Sequence, residues 1–232
     1  MVLSSMDTFP LWLSLKVALI ATVFTFILGI LAAWLTVKLR RGKGIVDGLF
    51  TLPLVLPPTI VGFFLLVIFG KNGFIGQILN EIGVPVVFTW AGAVIASTVV
   101  AFPLMYRTAR GAFEQLDENL LSAGRTLGMT EWKLFTAVML PNSIPSIMAG
   151  AVLAFARALG EFGATIMLAG NIPGKTQTVS VAIYTAVQAG NWDIAYKWMF
   201  IIVGISFITI FLMNVWTKHA ARFRKESRKL WR

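Results

Sequence analysis

Four stretches of this chain, residues 17–37, 48–70, 84–106 and 198–217, contain no Asp, Glu, Lys or Arg. Each approaches the roughly 20 residues that an α-helix needs to cross a bilayer. Backbone in hydrocarbon must satisfy its own hydrogen bonds, so runs of this length and polarity are helices. A fifth run, 144–169, is long enough to cross but carries Arg157 and Glu161 within it. Only 13% of the 232 residues are charged and 57% are hydrophobic, against roughly a quarter charged in a soluble domain. The expectation is an all-α, polytopic membrane protein. It forms a single domain over 1–232, with five spans near 12–37, 48–70, 86–106, 146–169 and 196–217.

The net charge of +10 could suggest nucleic acid, but the cations flank apolar runs rather than forming a soluble face. Short basic loops stay in the cytoplasm. Lys38, Arg40, Arg41 and Lys43 follow the first run. Arg107, Arg110, Arg125 and Lys133 follow the third. Lys218, Arg222, Arg224, Lys225, Arg228, Lys229 and Arg232 follow the last. The remaining connections, with Lys71 and Glu81 or Lys175 and Asp193, are poor in cations. Five crossings with an external N-terminus and a cytoplasmic C-terminus satisfy every loop, and place 109–145 inside. Residues 176–191 are uncharged but short, and parity makes them an external, partly buried helix. Trp12, Trp34, Trp90, Trp198 and Trp216 fall near the expected span ends, as interfacial aromatics do.

No cysteine is present, which excludes disulfides and thiolate metal sites; His219, the one histidine, sits in the basic tail as a solvated residue. No metal site is expected. The first residues carry Asp7 and no cation, unlike a cleaved signal peptide, so the first helix is expected to be retained.

The second run holds Pro53, Pro57 and Pro58. Each removes a backbone donor and crowds the preceding turn, so this span should be kinked or broken. Irregular backbone at membrane depth persists only beside protein or a watery cavity. A plain kink is one reading; a position lining a pathway is the other, with Thr59 next to the prolines. Arg157 and Glu161 stand four residues apart, on one helical face, and neither charge can face lipid unpaired. They are either a static ion pair or a gate beside an anion path. Hydroxyls at Thr59, Ser97, Thr98 and Thr165 could stabilise a passing oxyanion, although such groups in membrane helices often bond their own backbone.

In the long cytoplasmic segment, Leu120, Ala123 and Leu127 share a helical face, Asp117 suits an N-cap and Gly128 suits a left-handed helix end. A second short helix is expected from Thr130 to about Pro141. Ser122-Ala123-Gly124, Arg125-Thr126-Leu127-Gly128 and Leu140-Pro141 resemble the EAA loop of ABC importer permeases, with Ser122 where glutamate is usual and Gly124 replacing the second alanine. Leu52 to Pro58 and the run Arg157-Ala158-Leu159-Gly160-Glu161-Phe162-Gly163-Ala164-Thr165 resemble the molybdate branch, as do Gly170 to Thr176 and Tyr184-Thr185. Tungstate and sulfate permeases share parts of these patterns. The resemblance implies a type I importer permease fold. Ser122, Ala123, Gly124, Leu127, Gly128, Leu140 and Pro141 would then couple to a separate ATPase, and Pro57, Pro58, Thr59, Arg157, Glu161 and Thr165 would line or gate the pathway. It further implies a homodimer in a prokaryotic cell membrane, two cytoplasmic ATPase subunits holding ATP and Mg, and an extracytoplasmic molybdate-binding protein.

Residues 169–176 nearly form a phosphate-binding loop, but Ala169 stands where its first glycine is needed, no strand precedes it, and topology puts it away from ATP. The chain itself is therefore expected to bind no cofactor and to be no enzyme. An ATP-independent channel, a membrane enzyme and a non-transporting scaffold are the rivals. The enzyme would need paired carboxylates, a histidine or a metal cluster at one depth, and none is visible.

Overall fold

The computed structural model describes residues 7–39 and 41–229, with side chains described as far as 211. Arg40, the side chains of Trp216 and His219, and those of the basic tail from Lys218 lie outside that set, as do residues 1–6. Among the described residues every regular element is helical.

Helix α1, Phe9–Lys38, starts with Pro10 in its first turn, where the missing N–H costs nothing. Its buried positions Leu13, Val17, Ala21, Thr25 and Ala33 recur every three to four residues or multiples of that spacing, which turns one stripe inward. That stripe packs on α5, Trp90–Glu114, and both meet α8, Leu140–Leu159. Small residues allow the close approach. A Cβ at Gly29 would lie 2.8 Å from Met105 Cγ, and one at Gly150 would lie 3.0 Å from Thr108. Without a hydrophobic drive between helices in lipid, such backbone proximity is the main source of contact. The opposite face of α1, including Leu19, Val23, Ile27 and Leu35, is exposed, as a lipid-facing stripe must be.

The second span is two helices. Lys43–Val55 (α2) and Pro58–Phe69 (α3) are bent by 110°, so the prolines break the segment rather than merely kinking it. Leu56 and Pro57 are extended at the junction. Counted as one bent span, they bring the total to five with α1, α5, the rod Glu131–Leu159 and α11, Trp192–Lys229. Phe74–Glu81 (α4) folds back beside α3.

Two helix boundaries differ from expectation. The short helix from Thr130 does not stop at Pro141. After Glu131–Leu134 (α7) the chain passes through a π-helical turn, Phe135–Met139, directly into α8. In that turn Leu140 N–H donates to Phe135 O, five residues back, a widened spacing that carries the helix past the proline. At the other end, the run expected to be helical over 146–169 stops at Leu159. It resumes as Gly163–Leu168 (α9) after a break at Gly160, Glu161 and Phe162. No proline marks this break; the buried carboxylate of Glu161 does, as described below.

Residues 179–188 form the partly buried helix α10 (Val179–Gln188), tied to α1 by Val179 N–H donating to Ser14 Oγ at 2.8 Å. Trp198 of α11 is buried against α10 rather than lying at a free span end, whereas Trp12 and Trp90 are exposed.

Candidate functional site

The two broken spans meet at their breaks. Gly163, the first residue of α9, sits so close to the start of α3 that a Cβ there would lie 3.1 Å from both Pro58 Cβ and Thr59 N. One turn on, a Cβ at Gly62 would lie 2.7 Å from Ala164 Cα. Pro57, Pro58, Thr59, Glu161 and Thr165, separated by a hundred residues in sequence, are thus drawn to one locus. Gly62 belongs to none of the motifs read in the sequence and Gly163 only to the Arg157–Thr165 run; the pair is legible as a contact only once the two segments are known to touch.

Glu161 organises the break. Its side chain is 1% exposed, and its Oε2 lies 2.6 Å from Arg157 Nη1. Its other oxygen, Oε1, accepts from Ala164 N–H at 2.7 Å, so the carboxylate caps the first turn of α9. One residue thereby closes the end of α8 through Arg157 and opens α9. Arg157 remains about one-third exposed, which leaves part of its guanidinium accessible. The first turns of α3 and α9 both begin here, although Pro58 has no N–H to offer and Ala164 N–H is already taken by Glu161.

Hydroxyl groups divide into two kinds. Thr22, Thr25, Thr36, Thr51, Thr108 and Thr136 donate to carbonyls three or four residues back. Thr165 and Thr98 have buried Oγ1 atoms that make no hydrogen bond among the described residues. Thr59 is exposed and Ser97 is buried. Ser143 and Thr178 share this state elsewhere in the fold, whereas Thr165 and Thr98 lie on α9 and α5, which pack together.

A second group lies at the opposite end of the rod. Asp117 caps α6, Glu118–Thr126, by accepting from Asn119 N–H at 2.9 Å. Gly128 has φ +78° with nothing within 4 Å of where a Cβ would project, a conformation glycine adopts freely. Ser122, Ala123 and Leu127 are exposed, Leu127 at 82%, while Gly124 faces inward: a Cβ there would lie 2.6 Å from Leu134 Cδ1. Leu140 is half-buried and Pro141 exposed in the first turn of α8. The expected loop residues therefore do different jobs. Gly124 seats α6 on α7, and Ala123 and Leu127 present an apolar face outward.

Ion pairs fasten this segment. Arg125 Nε donates to Glu131 Oε1 at 2.8 Å, and Lys38 Nζ stands 3.8 Å from Glu131 Oε2. The Arg125 bond holds Glu131 below the usual carboxylate range, and Glu131 in turn raises Arg125. Nearby, Arg110 contacts Asp47 and Glu114, and Lys43 lies 2.7 Å from Glu114. Burial opposes ionisation of Glu114, but hydrogen bonds from Lys43 and Arg110 outweigh it and hold its pKa low. These pairs pin the start of α2 and the end of α1 to the end of α5 and to α7. Trp34, Trp132 and Phe135 pack beneath them, edge-to-face between the two tryptophans and tilted against Phe135.

Residues 25–224 match the family described as "Binding-protein-dependent transport system inner membrane component". The chain belongs to this family. It is an integral membrane permease component of an ABC importer. Over 97% of its length it is 43% identical to the molybdenum transport system permease protein ModB of Escherichia coli strain K12, covering 99% of that protein. ModB of Haemophilus influenzae is 47% identical over 76% of this chain and 78% of its own. The sulfate transport system permease protein CysT of Escherichia coli strain K12 is 35% identical over 85% of this chain and 72% of its own. Among solved structures, a bacterial alginate ABC transporter chain superposes with TM-score 0.75 at 18% identity, covering 94% of this permease and 81% of that chain. The MetNI methionine ABC transporter superposes with TM-score 0.68 at 18% identity, covering 90% and 94%. At that identity the likeness is one of fold.

Proposed function

We propose that this permease is the membrane subunit of an ATP-driven importer for molybdate, working as a homodimer with two cytoplasmic ATPase subunits and an extracytoplasmic binding protein. The observation that carries an oxyanion path is the meeting of the two span breaks. There a partly exposed Arg157 is part-neutralised by Glu161, which caps α9 where that helix meets the first turn of α3, and α9 carries the buried, unpartnered Thr165 hydroxyl. Such a locus attracts a dianion without holding it in a deep well, as a transit site requires. Molybdate as the cargo is supported by the identity to two proteins described as molybdenum permeases.

The rod supports a coupling role. Glu131–Leu159 is a continuous helical run of 29 residues, about 40 Å at 1.5 Å per residue. Gly124 seats α6 against its first turn, and Arg157 stands in its last. A push on the exposed Ala123 and Leu127 face by an ATPase would tilt this rod and move the Arg157–Glu161 junction. ATP binding would draw two such segments together and open the path outward; hydrolysis would reset it. In this arrangement ATP and Mg belong to the partner ATPase, Ser122 to Gly128 and Leu140-Pro141 face the cytoplasm, and the N-terminus lies outside.

The test is uptake of labelled molybdate into vesicles holding the complete transporter. ATP-dependent uptake suppressed by unlabelled molybdate, with sulfate at equal concentration far less effective, supports the assignment. Equal suppression by sulfate would reassign the cargo towards sulfate. Flux without ATP would show a channel.

A further inference from the structure

Lys16 is a lysine on a lipid-facing surface. It lies seven residues into α1, among Trp12, Leu15 and Leu19, and its side chain is exposed. No carboxylate pairs with it among the described residues; its ammonium instead sits over the Trp90 ring at 3.9 Å. A charge here would be costly in hydrocarbon, so its long stem must carry the ammonium to headgroup depth. Trp12 and Trp90 mark that depth.

The same groove receives a second cation. Lys175 is exposed in the loop before α10, beside Gly174 at φ +70°. Lys16 and Lys175 line one groove of about 640 Å³ with Trp12, Leu15, Leu19 and Trp90. Two cations and no carboxylate line it, so the polar end is complementary to an anion. The remaining walls are apolar and run down α1 towards the membrane interior. A small hydrated oxyanion uses only the first of these features; a phospholipid uses both.

We propose that this groove binds an anionic phospholipid, its phosphate between Lys16 and Lys175 and an acyl chain along Leu15 and Leu19. The lipid covers the exposed lysine of α1 and ties the loop 170–178 to the first span. That loop connects α9 to α10, so lipid occupancy steadies the far end of the segment that begins at Glu161.

The experiment uses the purified complete transporter in a neutral detergent. Brominated phosphatidylglycerol and brominated phosphatidylcholine are titrated separately while tryptophan fluorescence is followed, since a bound bromolipid quenches Trp12 and Trp90. Phosphatidylglycerol should quench at lower concentration than phosphatidylcholine. Lys16→Gln and Lys175→Gln should each weaken the phosphatidylglycerol response about fivefold, in line with the worth of one lysine near an anionic headgroup, and Lys16→Arg should preserve it. Equal quenching by the two lipids, or a preference unchanged in the double glutamine variant, overturns the proposal. Displacement of the lipid by millimolar orthophosphate or molybdate would show a free-anion site instead. Disulfide crosslinking of Lys16→Cys to the same position of a second copy would show a protein interface.

Discussion

Two ion pairs of the same chemistry sit at opposite ends of one helical rod and are built differently. Arg157 and Glu161 form a single pair whose carboxylate is buried, 1% exposed and capping α9, while Arg157 is 29% exposed. Arg125 and Glu131 form an open pair, both about half exposed, with Lys38 as a third member. Breaking a buried pair leaves an uncompensated charge and costs about 3–5 kcal/mol, whereas an exposed pair is worth about 0–1 kcal/mol. The first therefore defines local structure, and the second only biases the position of a segment already seated by Gly124. A machine that must move at one end and hold selectivity at the other would need this asymmetry.

The largest effect is expected at Glu161. Glu161→Gln keeps an oxygen for Ala164 N–H but removes the charge facing Arg157. Uptake in reconstituted vesicles should fall at least about tenfold, a fraction of the cost of losing a buried charge pair, while the purified permease still elutes as the unsubstituted protein does. Glu161→Ala loses the cap as well and should lower the yield of folded protein. Unchanged uptake by Glu161→Gln would reduce the pair to a static strut.

Much of this arrangement was legible in the chain, for identifiable reasons. Apolar length revealed the spans because hydrocarbon imposes it locally. Asp117 and Gly128 announced the limits of α6 because capping is a matter of a few adjacent residues. The Arg157–Glu161 pair was visible because four-residue spacing is a local property too, although Glu161 proves to lie beyond the end of α8 rather than within it. What escaped was set by contacts across the chain. The 110° bend at Leu56 and Pro57 has its proline signature, but the break at Gly160 to Phe162 does not. It depends on a carboxylate folding back to cap α9 and on Gly62 meeting Ala164. Pro141 misled in the opposite direction, since a π-helical turn absorbs it. Gly124 reads as a departure from a loop pattern, yet it is the contact that seats the helix.

A smaller effect is expected in the cytoplasmic segment, where the two glycines should separate. Gly128→Asp strains a φ of +78° with no steric neighbour, a conformation that Asp tolerates better than most residues, at a cost of about 1 kcal/mol. The protein should stay folded and inserted, with ATP hydrolysis continuing and molybdate moved per ATP reduced. Gly124→Val instead drives a side chain into Leu134 and should lift α6 from α7 at about 1–3 kcal/mol, lowering both ATP stimulation and uptake. Normal uptake per ATP in Gly128→Asp would remove the docking role from that turn.

The smallest effect belongs to Glu131. Its folded-state pKa is depressed below the ordinary 4.5, chiefly by the hydrogen bond from Arg125. Its contribution is therefore complete above that ordinary value and is lost as pH falls through the lower folded value. From about pH 5 to about pH 8 the stability of the segment should not change on its account. Glu131→Gln should shift thermal unfolding of the purified permease by less than about 1 kcal/mol at neutral pH, and the difference from the unsubstituted protein should disappear in strong acid. A penalty several times larger would mean that the pair is shielded from water in the assembled transporter, and that the two ends of the rod are more alike than their exposures indicate.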